Sequence, residues 1–392
     1  MAFNRTLSST LLARARQWPV VTVTGPRQSG KTTLCRSSFP GLAYANLERP
    51  DTREFAQRDP AGFLAQFAQG AVLDEIQRVP ALLSWVQVAV DETPSPGRFI
   101  LTGSHSFELM GAVAQSLAGR TALLELLPMS IAELRAAGLS LSTDQLLHAG
   151  GYPRIHADNL DPAVALGDYF ATYVERDLRQ LIELRELDAF RRFMRLAAGR
   201  VGQVLNLHSL AADAGISDPT ARSWMGLLEH SYIVRRLPPW FANLGKRLVR
   251  SPKLYFCDTG LAAWLLGITQ VGQLASHPLR GQLFENLVVM EFAKHALHHG
   301  QPVALHYYRD SSGLEVDLVV EQGMAPGKLG LVEIKSGQTM HGSFLAPMHR
   351  LSQVLHAAPT APYQVGRRML VYGGHENHIR EGVEVVGLQA VA

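Results

Sequence analysis

The chain has 392 residues, 47% of them hydrophobic and 18% charged, with a net charge of +3 and two cysteines, Cys35 and Cys257. That length exceeds one compact domain, at about 100–200 residues each. Two cysteines exclude a disulfide-framed secreted scaffold, and so small a net charge gives no basis for nucleic-acid binding without local clusters.

Arg5, Arg14 and Arg16 flank a short apolar patch with no long apolar core, so no secretory signal is expected. The longest uncharged stretch, from Thr259, is broken by Gly260, Gly267, Gln270 and Gly272 and reads as helix and loop rather than a membrane span. A cytoplasmic location and no membrane partner are the expectation.

The first third alternates strand-like runs with helical spacing. Val20–Thr24, Ala71–Leu73 and Arg98–Thr102 read as strands, and Leu82–Val90 and Phe107–Leu117 as helices. That alternation predicts a parallel α/β sheet.

After the first strand comes Gly25-Pro26-Arg27-Gln28-Ser29-Gly30-Lys31-Thr32-Thr33, the spacing of a phosphate-binding loop. The glycines let backbone N–H groups face a phosphate without a Cβ in the way. The following helix directs its positive end at the anion, Lys31 adds a charge to the β- and γ-phosphates, and the Thr32 hydroxyl ligates Mg²⁺. Val72-Leu73-Asp74-Glu75 ends a strand in two acids, so Asp74 is the second Mg²⁺ residue and Glu75 the group that polarises the attacking water. Phe99–Ser104 ends in hydroxyls, and Thr102 or Ser104 is a candidate γ-phosphate sensor; the plainer reading is a loop hydroxyl that caps a helix. ATP and Mg²⁺ are the expected cofactors.

These phrases, together with Leu117-Ala118-Gly119-Arg120-Thr121, resemble the AAA-type ATPases that carry a C-terminal domain of unknown function, relatives of the archaeal-type and signal-transducing ATPases. The resemblance runs over essentially the whole chain. It implies arginine-finger or sensor duty for Arg120, against a surface salt bridge, and a place beside the adenine for Pro153 in Gly150-Gly151-Tyr152-Pro153, against a tight interdomain loop. It also suggests a homo-oligomer.

The middle is read as helical, with helices at Ile131–Ala137, Ala163–Leu187 and Ala189–Ala198. Leu207–Leu237 has the order of a winged helix-turn-helix: a short helix, the turn Gly215-Ile216-Ser217, a second helix with Pro219 in its first turn, and a wing from Tyr232. Arg222 on the second helix, and Arg235, Arg236, Lys246, Arg247 and Arg250 after it, with Trp240 and Phe241 between, are candidate DNA contacts. The alternative is a winged helix that serves as a lid or relay on the nucleotide domain.

In the last third, Glu285 lies in a helical run, Asp317 on a strand, and Glu333 and Lys335 on the next strand, where a period of two puts both side chains on one face. Glu285, Asp317 and Glu333 are candidate Mg²⁺ ligands, with Lys335 positioning a water. This set resembles the restriction-endonuclease-like fold, active or inactive. A histidine group, His295, His298, His299 and His306, offers a weak zinc alternative.

The expected organisation is a phosphate-loop NTPase sheet over residues 1–140, a helical and winged-helix unit over 141–252, and a restriction-endonuclease-like α/β unit over 253–392. The expected function is ATP hydrolysis coupled to DNA binding or processing. The alternatives are a nucleotide-driven signalling switch without DNA and an ATP-gated nuclease.

Overall fold

Val20–Gly25 is buried at every position, as a run of β-branched residues enclosed on both faces must be. It is the first strand (β1) of a five-stranded parallel sheet with β2 (Ala43–Asn46), β3 (Ala71–Asp74), β4 (Phe99–Ser104) and β5 (Thr121–Glu125), in the order β2-β3-β4-β1-β5. Alternate residues feed two cores. Val21, Val23, Val72, Ile100 and Leu124 pack with Leu7, Leu11 and Leu34 on one face. Val20, Ala71, Leu73, Phe99 and Leu101 pack on the other against helix Leu82–Glu92. That helix buries Leu82, Leu83, Val86 and Val90, each contributing about 1.5–3 kcal/mol. Because β4 lies between β3 and β1, the carboxyl ends of all three strands meet at one sheet edge. The computed structural model describes residues 3–104, 111, 113, 115–174, 187–240, 250–321, 327–357 and 363–391.

The middle is helical, as expected, and its helices start where the sequence provides caps. Ser130 with Glu133, and Ser142 with Gln145, form capping boxes at Ile131–Ala136 and Thr143–Ala149. The long helix expected from Ala163 ends its α-helical run at Tyr169 and continues as a π turn over Phe170–Val174. The acids at 175, 177, 183 and 186 lie outside the described residues.

The helix-turn-helix has the expected form. Leu207–Ala214 ends at Gly215, whose φ of 70° is the left-handed cap that a glycine accepts at little cost. Ser217 caps Asp218–His230, accepting from the Thr220 N–H. The wing is β6 (Val234–Leu237) paired antiparallel with β7 (Lys253–Phe256). Lys253–Phe256 therefore belongs with the winged helix and does not open the third unit. The Thr259–Leu265 helix that follows contributes to the same core.

The last unit is a six-stranded mixed sheet, order β12-β13-β11-β10-β9-β8, made of β8 (Leu305–Arg309), β9 (Glu315–Glu321), β10 (Lys328–Lys335), β11 (Gln364–Tyr372), β12 (His378–Arg380) and β13 (Val383–Gly387). β10, β11 and β13 run parallel, and β8, β9 and β12 run antiparallel to their neighbours. Helix Arg280–His298 belongs to one buried cluster that extends from Leu127 to Leu388, so the middle and last units share a core.

Candidate nucleotide site

The turn after β1 needs its glycines. Gly25 has φ of 144°, and a Cβ there would overlap the Leu126 carbonyl; Gly30 has φ of 92°. Two non-glycine residues, Gln28 (φ 60°) and Glu75 (φ 58°), also sit in the left-handed region. Each such placement costs on the order of 1–2 kcal/mol, and both lie at the same sheet edge.

Helix Lys31–Ser38 starts from Gly30 with its free N–H groups on the loop. The Lys31 ammonium donates to the Gly25 and Pro26 carbonyls at 3.0 and 2.8 Å. Burial lowers its pKa to about 8, opposed by Glu75 and Asp74. The Ser29 hydroxyl is buried with no hydrogen-bond partner among the described residues.

Asp74 is a hub of hydroxyls. It accepts from Thr32 at 2.9 Å, from Tyr44 at 2.8 Å and, through a short bond, from Thr102. Burial and the bond to Asp74 push the Tyr44 phenol up. Glu75 accepts from the Ser104 hydroxyl at 3.2 Å and closely from the Gln77 amide, which also reaches Ser104 at 2.9 Å. Thr32 beside Asp74 fits a Mg²⁺ site with one hydroxyl and one carboxylate, and Glu75 stands beside it on the cavity wall.

A cavity of about 590 Å³ opens over the loop, lined by Arg27, Gln28, Gly30, Lys31, Thr32, Thr33 and Glu75. Pro153 and Tyr173 of the helical unit form its far wall, and Pro153 lies 3.9 Å from where a Cβ on Gly30 would sit. Arg27 stacks over the Tyr173 ring at 5.6 Å. The volume matches a small-molecule site of roughly 300–1,000 Å³.

Two of the expected residues make their contacts away from the cavity wall. Thr102 is fully buried behind Asp74, and its hydroxyl donates to that carboxylate. Arg120 precedes β5 at the opposite sheet edge, about five residues or ~17 Å of strand from the loop. It grips Asp91 in a two-pronged pair at 2.6 and 2.8 Å, so it contacts nothing in its own chain's nucleotide cavity.

The basic stretch is also redistributed. Arg235 turns inward to Glu125 on β5 at 2.7 Å, and Tyr232 next to it reaches the Thr24 hydroxyl at 2.9 Å. Both contacts join the wing to the nucleotide sheet, and the Arg235 guanidinium is spent on an acid of that sheet. Arg236 pairs with Glu229, and Trp240 is buried against Tyr308, with its ring N–H on Glu321 at 3.2 Å. Arg222 and Arg250 are exposed. Lys246 and Arg247, with Phe241, lie outside the described residues.

In the last unit Lys335 bridges Asp317 at 3.1 Å and Glu333 at 2.8 Å, bringing three of the four expected residues together. One Glu333 oxygen is buried with no donor among the described residues. Burial, then the adjacent Asp317 carboxylate, holds Glu333 well above the usual range. A divalent cation would relieve that crowding, so the pair fits one. Glu285 is not part of this pair. It accepts from Lys253 at 2.9 Å and Tyr255 at 2.6 Å, and Lys253 also binds Glu315. Among the described residues no three histidine, cysteine or acidic side chains converge as a metal site, which also leaves His295, His298, His299 and His306 without zinc geometry.

Tyr44 and Glu125 were not singled out in the sequence, and Gln77 and Tyr232 carried no site role there. Tyr44 and Gln77 carried a usable signal, since one lies on a neighbouring parallel strand and the other two residues past Glu75.

Family comparisons agree with this layout. An AAA domain matches residues 17–135, and domains of unknown function DUF8612 and DUF4143 match 141–271 and 280–391. The uncharacterized protein Rv2008c of Mycobacterium tuberculosis is 36% identical over 332 residues, covering 83% of this chain and 73% of that protein. The uncharacterized protein Mb2031c of Mycobacterium bovis matches with the same figures. Among solved structures, the Walker-type ATPase PABY2304 of Pyrococcus abyssi is similar at 16% identity and a TM-score of 0.44, covering 67% of this chain and 96% of that one. AMPPCP-bound DnaA from Aquifex aeolicus is similar at 15% identity and a TM-score of 0.28, covering 57% and 85%. The family models and the 36% identical relatives place the chain in the family of AAA-domain proteins that carry a C-terminal domain of unknown function.

Proposed function

We propose that this chain binds ATP with Mg²⁺ and hydrolyses it, and that the nucleotide state is relayed to the winged helix. The observation that carries the reading is the convergence of Lys31, Thr32, Asp74 and Glu75 on one sheet edge beside a nucleotide-sized cavity. The loop amides and Lys31 hold the phosphates. Thr32 and Asp74 hold Mg²⁺, which when bound neutralises phosphate charge. Glu75, its carboxylate fixed by Gln77 and Ser104, orients the water and takes its proton. Pro153 sits beside the base. Thr24 is the last residue before Gly25, so its bond to Tyr232 carries a loop displacement into the wing.

A second reading adds DNA as the partner. Arg222 and Ser223 stand exposed on the second helix of the helix-turn-helix, and Arg250 on the wing. The Asp317, Glu333 and Lys335 set, beside a cavity of about 870 Å³, would act on or merely hold that DNA with a divalent cation. The test is ATP hydrolysis by the purified chain with single-stranded, duplex and branched DNA. Stimulation by one of them supports the DNA reading. Hydrolysis unchanged by all three leaves a switch without DNA, and no hydrolysis removes the ATPase reading itself.

A further inference from the structure

Arg5 lies outside the phosphate-loop sequence, yet it holds that loop. Its side chain is 3% exposed. One guanidinium nitrogen donates to the Ser29 carbonyl at 2.6 Å, inside the loop, and another to the Leu127 carbonyl at 2.6 Å, where the chain leaves the nucleotide sheet. The first nitrogen lies 3.6 Å from the position of a Cβ on Gly30. The third nitrogen, Nε, faces Glu133 at 3.1 Å. Glu133 is itself fixed by the N–H groups of Thr6 at 2.7 Å and Ser130 at 3.0 Å, and approached by His298 at 3.5 Å. His298 ends the helix of the last unit that also supplies Glu291 to the Ile131 N–H and Lys294 to the Met129 carbonyl. One buried cation thus meets the phosphate loop, the exit segment and a carboxylate that touches the last unit.

We propose that Arg5 is a positioning residue for the nucleotide reaction: it sets the phosphate loop through Ser29 and ties the loop's position to the last unit through Glu133 and His298. This rests on the ATPase reading above. The planar fork of arginine reaches the two carbonyls with two separate nitrogens; a lysine ammonium is a single nitrogen and cannot occupy both positions. Arg5→Lys therefore keeps the buried charge and loses the bridge. A loop so loosened binds phosphate poorly, while Asp74 and Glu75, at the end of β3, stay in place.

The test measures ATP hydrolysis by the full chain for wild type, Arg5→Lys, Glu133→Gln and the exposed control Arg16→Gln, with the ATP-induced rise in melting temperature for each. Removing charge-assisted hydrogen bonds of this kind predicts a KM for ATP raised about tenfold to a hundredfold in Arg5→Lys, a smaller change in kcat and a lost ATP-induced shift. Glu133→Gln, which keeps both carbonyl bonds of Arg5 and removes the charge facing its Nε, moves KM the same way by less, and Arg16→Gln matches wild type. Folded Arg5→Lys protein with wild-type KM and ATP shift overturns the proposal. If Arg5→Lys does not fold, Glu133→Gln decides: an unchanged KM overturns it. Absence of ATP binding and hydrolysis in wild type overturns the ATPase reading instead, since the Arg5 comparison begins from an active wild type.

Discussion

Lys31 gives the sharpest quantitative test of the nucleotide site. Burial lowers its pKa to about 8 in the free protein, and a bound triphosphate stabilises the charged form. The sign follows from linkage. The ammonium is the binding form, so affinity is fully present below about pH 8 and falls as pH rises through it, until the higher pKa of the complex is reached. At pH 7 about nine-tenths of the free protein carries the charge, and at pH 9 about one-tenth, which predicts a Kd for ATP about tenfold weaker at pH 9 than at pH 7, or ~1.4 kcal/mol. Phosphate groups are already ionised over this range, so they add little slope. Calorimetric titration in buffers of different ionisation heat reads both quantities, the Kd and the protons taken up. Uptake of nearly one proton per ATP at pH 9 and almost none at pH 7 is expected. A Kd flat between pH 7 and pH 9, with no uptake, refutes a buried ammonium of lowered pKa as the phosphate ligand.

Three further outcomes are expected. Asp74→Asn leaves the hydroxyls of Thr32, Tyr44 and Thr102 around an amide that also donates, so Mg²⁺ dependence of ATP hydrolysis shifts to higher metal concentration and kcat falls by about a hundredfold or more, read by steady-state kinetics over a Mg²⁺ series. Arg235→Ala strips Glu125 of its partner at a contact about a quarter exposed, so urea unfolding shows a loss of about 1–3 kcal/mol; Arg236→Ala, on a surface pair, costs under about 1 kcal/mol. If DNA is the partner, Arg222→Gln with Arg250→Gln lowers the salt slope of its binding by about 2, measured by fluorescence titration over a salt series, whereas Arg235→Gln leaves the slope unchanged.

The nucleotide domain was legible because its chemistry is local. A β-branched run ending in Gly25, a strand ending in Asp74-Glu75 and one ending in Thr102-Gly103-Ser104 each carry strand and function within a few residues. The helix-turn-helix was legible for the same reason, with Gly215, Ser217 and Pro219 at its turn. What failed was partner choice across long separations. Arg235 and Arg236 read alike as basic residues, but adjacent strand positions face opposite ways, so one of them turns inward to Glu125, 110 positions away. The same alternation denies both residues a single DNA face. Trp240 looked like a stacking surface and is core, because β8 and β9 arrive some 70 residues later to bury it. Arg120 carried a family expectation of catalysis, and only the sheet register shows that it stands at the far edge beside Asp91. The C-terminal acids were found from a strand period of two, which correctly put Glu333 and Lys335 together; Glu285 required knowing that Lys253 and Tyr255 claim it.

The central claim is tested most directly by Glu75→Gln. ATP binding and steady-state hydrolysis with Mg²⁺ are measured for the full chain and for this variant. The account expects wild type to hydrolyse ATP and the variant to bind it with similar affinity while turning over at least about a hundredfold more slowly, as loss of a positioned general base requires. Hydrolysis by the variant at the wild-type rate, or no ATP binding by wild type, contradicts it.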